Sequence, residues 1–249
     1  YTDAFFEAMS GLTTTGATVI IGLDEVSPGL LLWRALLQWF GGIGIIVMAI
    51  SVLPMLNVGG MQLFRLESSD TSEKILPRTA QIAGSITRLY FAITFACMLA
   101  YMMAGMGAFD AIAHSMTTIA TGGFSTRDDS LAAFNAPAVE GVAIFFMLVS
   151  SLPFAAYLQL TNRKFAAFWA DSQIRTFLMV ALIAMLSMWV YQMVNLSTPS
   201  GTAFLKAAFN TTSILTGTGY ATSDYSQWGS FSVSVFFVLT FIGGCAGST

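Results

Sequence analysis

Five stretches of this chain, over residues 30–56, 84–107, 139–161, 174–197 and 229–247, are apolar almost all round. A helix needs about 20 mostly apolar residues to cross a bilayer. A helix without a polar face needs lipid or other helices around it. The stretches therefore predict five membrane spans. Composition agrees: 55% of the 249 residues are hydrophobic and 9% are charged, against about 25% charged in soluble domains. Mean hydropathy is +0.73. A net charge of −3 gives a nucleic-acid partner no support. Cys97 and Cys245 lie inside apolar stretches and read as packing residues.

Three further stretches, about 3–14, 108–119 and 202–215, are too short to span and read as half-length helices. Each ends in a Thr/Gly turn. Backbone that leaves a helix at membrane depth must be buried in protein or line a wet cavity. Re-entrant pore segments meet that condition.

With the Thr-Gly pairs in register, the turns form a repeat. The first unit runs from Ala4 through Thr15-Gly16-Ala17, the second from Asp110 through Thr121-Gly122-Gly123, the third from Ala207 through Thr218-Gly219-Tyr220. This register makes Gly16, Gly122 and Gly219 equivalent, 106 and 97 residues apart. A cation leaving water must exchange its hydration shell for other oxygens, which rings of backbone carbonyls supply. Carbonyls turned into a narrow pore need backbone angles that glycine tolerates. A half-helix ending at the cavity presents its negative dipole end to the ion. A single such turn would equally read as an ordinary helix C-cap.

Arg65, Lys74, Arg78, Arg88, Arg163, Lys164 and Arg175, seven of the ten Lys and Arg, fall on one side of this arrangement. Excess Lys/Arg marks the cytoplasmic side. Asp24, Glu25, Asp128, Asp129 and Asp224 fall on the other. The lone His114 reads as a polar residue hydrogen-bonded behind the second turn. Arg34, at the start of a span, reads as an interfacial residue or the partner of a carboxylate. Gly243 and Gly247 have the spacing of a helix-packing face. A membrane-embedded enzyme would need convergent titratable groups, and the sequence offers no His/Asp/Glu cluster, so we expect no enzyme. A non-conducting structural subunit would explain the spans but not the repeated turns.

At Leu12-Thr-Thr-Thr-Gly-Ala-Thr18, Trp33 to Ile46, Thr117 to Thr126, Leu215-Thr-Gly-Thr-Gly-Tyr-Ala-Thr222 and Gly243 to Thr249 the chain resembles the Trk/Ktr/HKT superfamily of potassium transporters, and most closely its bacterial Trk-type members. The resemblance covers essentially the whole chain. It implies an all-α membrane protein of helix–pore half-helix–helix units arranged pseudo-fourfold around one ion pore. Units would occupy 1–58 (opening helix missing), 59–162 and 163–249 (truncated in its closing helix), with a fourth outside the chain. We accordingly expect an internal portion of a longer protein, since it begins Tyr1-Thr2-Asp3 without a signal peptide and stops within an apolar segment. The resemblance implies a selectivity filter at Thr15, Gly16, Ala17, Thr121, Gly122, Gly123, Thr218, Gly219 and Tyr220. Potassium, the transported ion, would meet the carbonyls of Thr15, Gly16, Thr121, Gly122, Thr218 and Gly219. It further implies a gating loop at Gly243, Gly244, Ala246, Gly247 and Ser248. It implies a multi-pass protein of the bacterial cytoplasmic membrane working as a homodimer with a cytosolic nucleotide-binding regulatory subunit, without a covalently bound cofactor. A sodium-coupled or sodium-permeable Ktr/HKT-type transporter is the alternative within the superfamily; glycine at all three filter positions favours potassium.

Overall fold

The computed structural model describes residues 1–56, 75–161, 163, 165–195 and 200–249. Ten α-helices account for most of them. The short helices are α1 (Thr2–Leu12), α4 (Ala108–Ile119) and α9 (Ser200–Leu215). These match the three half-length stretches in the sequence. The remaining helices are α2 (Pro28–Leu56), α3 (Ile75–Met103), α5 (Pro137–Ser150), α6 (Phe154–Thr161), α7 (Phe165–Ala170), α8 (Ser172–Asn195) and α10 (Ser230–Thr240). Proline stands first in α2 and α5, where its missing N–H costs nothing. Asp3 and Asp110 sit in the first turns of α1 and α4, the helix end that favours negative charge.

Among the described residues, 82–103 and 172–195 are long and apolar enough to cross a membrane. Two expected spans are corrected. The stretch 139–161 is not one straight helix: α5 and α6 meet at a 93° bend. The stretch 229–247 is helical only to Thr240 and continues as turns. Arg65, Lys74 and Lys164 lie outside the described residues. Arg78 lies in α3 rather than in a loop, because that helix already begins at Ile75.

The helices pack around two cores. One joins α2 through α6 and the third turn by way of Trp39, Tyr90, Tyr101, Phe146, Phe154 and Tyr220. The other joins α5 and α6 to α8 through α10, by way of residues such as Ile174, Phe177, Met188 and Trp228. Large apolar side chains are also left exposed, including Phe95, Phe145, Ile183, Phe237 and Phe241. A water-soluble protein rarely exposes so much contiguous apolar surface, whereas lipid accommodates it.

Candidate functional site: three pore turns

Each short helix is stopped by the same device. After the C-cap, Thr14, Thr121 and Gly217 take left-handed φ values of 56°, 49° and 74°. The reversed backbone returns two amides to the helix end. Thr14 N–H donates to Gly11 O (3.0 Å) and Thr15 N–H to Ser10 O (2.9 Å). Thr121 N–H donates to Thr118 O (3.1 Å) and Gly122 N–H to Thr117 O (2.9 Å). This is the Schellman closure of a helix. In the third turn Gly217 N–H donates to Ile214 O (3.1 Å). Threonine in a left-handed conformation costs roughly 1–2 kcal/mol that Gly217 avoids. Backbone strain of this kind concentrates at functional sites.

Two residues on, the backbone is left-handed again: Gly16 at 78°, Gly123 at 75° and Gly219 at 83°. This corrects the register read from the Thr-Gly pairs. The residue equivalent to Gly16 and Gly219 is Gly123, and Gly122 is equivalent to Thr15 and Thr218. The contacts between units repeat the same offset. A β-carbon on Gly16 would overlap the Gly122 carbonyl, and one on Gly123 would overlap the Thr218 carbonyl. The same position on Gly219 faces open space. Thr121 therefore matches Thr14, not Thr15. Pairing Thr with Gly in the sequence slid the second turn by one residue, because that turn alone carries two adjacent glycines.

The residues after these glycines tie each unit to the one before. Phe124 lies beneath the Arg34 guanidinium, 4.1 Å from its ring centre. The Tyr220 hydroxyl reaches Thr117 and Thr118 of α4. Ala17, at the corresponding place, is too small to reach a neighbour. Ser10 and Ser213 each donate from Oγ across their own turn, to Ala17 O (2.6 Å) and Tyr220 O (2.7 Å).

The sequence singled out two of the side chains that brace the turns, Arg34 and His114, but not Glu7 or Gln38. Arg34 is buried and pairs with Glu7 at 2.7 Å. It also donates to Ser125 O (3.1 Å) and Thr18 Oγ1 (3.2 Å). Glu7 accepts in addition from the Thr18 hydroxyl (2.8 Å) and Val19 N–H (3.0 Å). Arg34 is thus the partner of a carboxylate, and the pair joins α1, α2 and the chain leaving both of the first two turns. His114 is fully buried, bonded to Asp110 O (2.8 Å) and Ser125 Oγ (3.0 Å) behind the second turn. Gln38 holds the second turn directly. A polar residue inside an apolar span was the available signal for Gln38, but a long-range partner cannot be read from one sequence.

In the loops that follow the first two turns, the Asp128 carboxylate accepts from Gly22 and Leu23 N–H, both at 3.0 Å. Arg127 bridges Asp24 (3.0 Å) and Asp110 (3.3 Å). Hydrogen bonds from Ser226 and Gln227 hold the exposed Asp224 below the usual carboxylate range. Asp224 is therefore ionised at neutral pH.

The glycines at 243 and 247 lie outside any helix, with φ of 66° and 80°. Their segment docks onto the bend between α5 and α6. Cys245 N–H donates to Ser151 O (2.9 Å), Thr249 N–H to Ser150 O (3.3 Å), and Phe154 N–H to Gly247 O (3.0 Å). Gly243, Gly244, Ala246, Gly247 and Ser248 thus form a loop against the second unit, not a helix-packing stripe.

Half-helices ending in strained turns, braced between long and broken apolar helices, define a multi-pass membrane protein of the pore-loop class. The chain matches the family model for the TrkH cation transport proteins over residues 1–249, and it belongs to that family. It is 43% identical over its whole length to the Trk system potassium uptake protein TrkI of Halomonas elongata, covering 50% of that protein. It is 42% identical to the Trk system potassium uptake protein TrkH of Escherichia coli, again over its whole length and covering 52% of the relative. The crystal structure of the potassium transporter TrkH from Vibrio parahaemolyticus superposes with a TM-score of 0.87 at 40% identity, over 99% of this chain and 51% of that one. The chain spans about half the length of the curated relatives it matches.

Proposed function

We propose that the protein takes up potassium across the bacterial cytoplasmic membrane through a channel-like pore. Its selectivity filter comprises Thr15-Gly16-Ala17, Gly122-Gly123-Phe124 and Thr218-Gly219-Tyr220, each following a left-handed residue at Thr14, Thr121 or Gly217. The observation that carries this reading is the alternation of backbone hand. In an extended strand successive carbonyls point to opposite sides. Left-handed residues at alternate positions of each turn bring successive carbonyls toward one side, where a row of them can replace a cation's water. The names of the relatives, potassium uptake proteins of a Trk system, favour potassium as the ion.

Three units succeed one another around an arc, at 1–58, 59–162 and 163–249, and Gly219 faces open space where Gly16 and Gly123 each meet the following unit. A fourth unit from outside these residues would complete the ring. The loop at Gly243–Ser248 is proposed as an intramembrane gate. By resemblance, the full protein is a homodimer working with a cytosolic nucleotide-binding regulatory subunit.

The test uses the full-length protein in a bacterial strain lacking its own potassium uptake. Gly16→Ser and Gly219→Ser are expected to lower the ratio of rubidium to sodium uptake, since each places a β-carbon on a left-handed residue. Unchanged ratios in both variants would sink the filter assignment.

A further inference from the structure

Gln38 belongs to α2 of the first unit, yet it bonds to the second unit's turn. The side chain is fully buried. Nε2 donates to the Gly122 carbonyl at 2.6 Å, and Oε1 accepts from Phe124 N–H at 3.1 Å. The two bonded groups flank the left-handed Gly123. A carboxamide suits this place because it is neutral and both donates and accepts. The fit is close: a β-carbon on Gly122 would collide with the Gln38 amide.

The second turn differs from the others in a way that calls for such a clamp. Its filter peptide joins two glycines, whereas the matching peptides join Thr15 to Gly16 and Thr218 to Gly219. With no β-carbon on either side, the Gly122–Gly123 peptide rotates more freely than its counterparts. A rotated peptide would lose its bond to Gln38 and change the shape of the turn. Counting back from the paired small residues of each closing helix, the places matching Gln38 hold Met147 and Thr240. Met147 has no amide to offer, and the Thr240 hydroxyl is turned back to Phe237 O at 2.7 Å. Among the described residues, no side chain bonds the Thr218 carbonyl.

We propose that Gln38 is a specificity-determining positioning residue, which fixes the Gly122–Gly123 peptide through the Gly122 carbonyl and the Phe124 N–H so that the second quarter of the filter keeps its shape. It acts through the backbone. The inference rests on the filter reading above.

The test uses full-length protein reconstituted in phosphatidylethanolamine/phosphatidylglycerol vesicles, with radiolabelled rubidium and sodium uptake measured for the parent, Gln38→Met and Gln38→Asn. A parent that does not favour rubidium defeats the filter reading itself. With a selective parent, methionine removes both bonds at similar volume, and asparagine is too short to keep both. Each is expected to lower the rubidium-to-sodium ratio by about tenfold, the scale of one buried hydrogen bond. A purely structural role would lower the yield of folded protein and leave that ratio alone. A ratio within twofold of the parent in either variant that purifies as a monodisperse species overturns the proposal. So does failure of both variants to fold, which assigns Gln38 to folding instead.

Discussion

The three closing helices carry a pair of small residues at one place, Gly41-Gly42, Ser150-Ser151 and Gly243-Gly244, yet the chain does something different at each. In the first unit α2 runs straight through the pair from Pro28 to Leu56. In the second the helix ends at the pair and bends by 93°. In the third it has already unwound at Thr240. The small pair alone therefore does not break a helix. In the first two units it permits close approach to the unit's own short helix. A β-carbon on Gly41 would overlap the Leu12 carbonyl, and Ser150 Oγ lies 3.3 Å from Thr118 O.

The residues that follow decide the outcome. Ile43 continues a helix. Pro153 lacks an N–H, and its ring excludes the carbonyl four residues back, Val149 O. That carbonyl instead accepts from the Tyr157 hydroxyl at 2.6 Å. Gly247 offers left-handed backbone, and the third unit's loop supplies partners for Ser150 O, Ser151 O and Phe154 N–H. Two broken helices thus satisfy each other's backbone.

One deletion and three substitutions probe this difference, and the largest effect falls on the loop. Shortening Gly243–Ser248 in the full-length protein should raise basal rubidium flux about tenfold or more, because the backbone partners of the bend are withdrawn. Flux still regulated as in the parent would return the segment to a packing role. In the straight helix, Gly41→Ala should destabilise by roughly 1–3 kcal/mol through overpacking against Leu12 O, read as a lower detergent-melting temperature. Pro153→Ala should let α5 extend and loosen the docked loop, raising basal flux a few-fold, and a parental flux would show that the bend does not depend on proline. Tyr157→Phe should cost about 1 kcal/mol in the same melting measurement, the net worth of one hydrogen bond.

Much of the fold could be read from the pattern. The short stretches 108–119 and 202–215 correspond closely to Ala108–Ile119 and Ser200–Leu215, because a stretch too short to span and closed by Thr/Gly has few other solutions in a membrane. The bend at Ser151–Pro153 escaped because apolar length outweighed one proline. Counting from the last helical residue, Leu12, Ile119 or Leu215, reaches Gly16, Gly123 and Gly219 at the same step, whereas matching Thr-Gly pairs does not. The braces at Glu7, Arg34 and Gln38 depend on partners 27 to 91 residues away, a separation at which local pattern carries no information.

The most direct test of the account is to locate the ion. Crystals of the full-length protein grown with rubidium, measured at the rubidium absorption edge, should show anomalous density bounded together by the turns at 14–17, 121–124 and 217–220, with Gly16, Gly123 and Gly219 at one level. Density at some other place, or a level shared by Gly16, Gly122 and Gly219 with Gly123 displaced from it, would contradict the account.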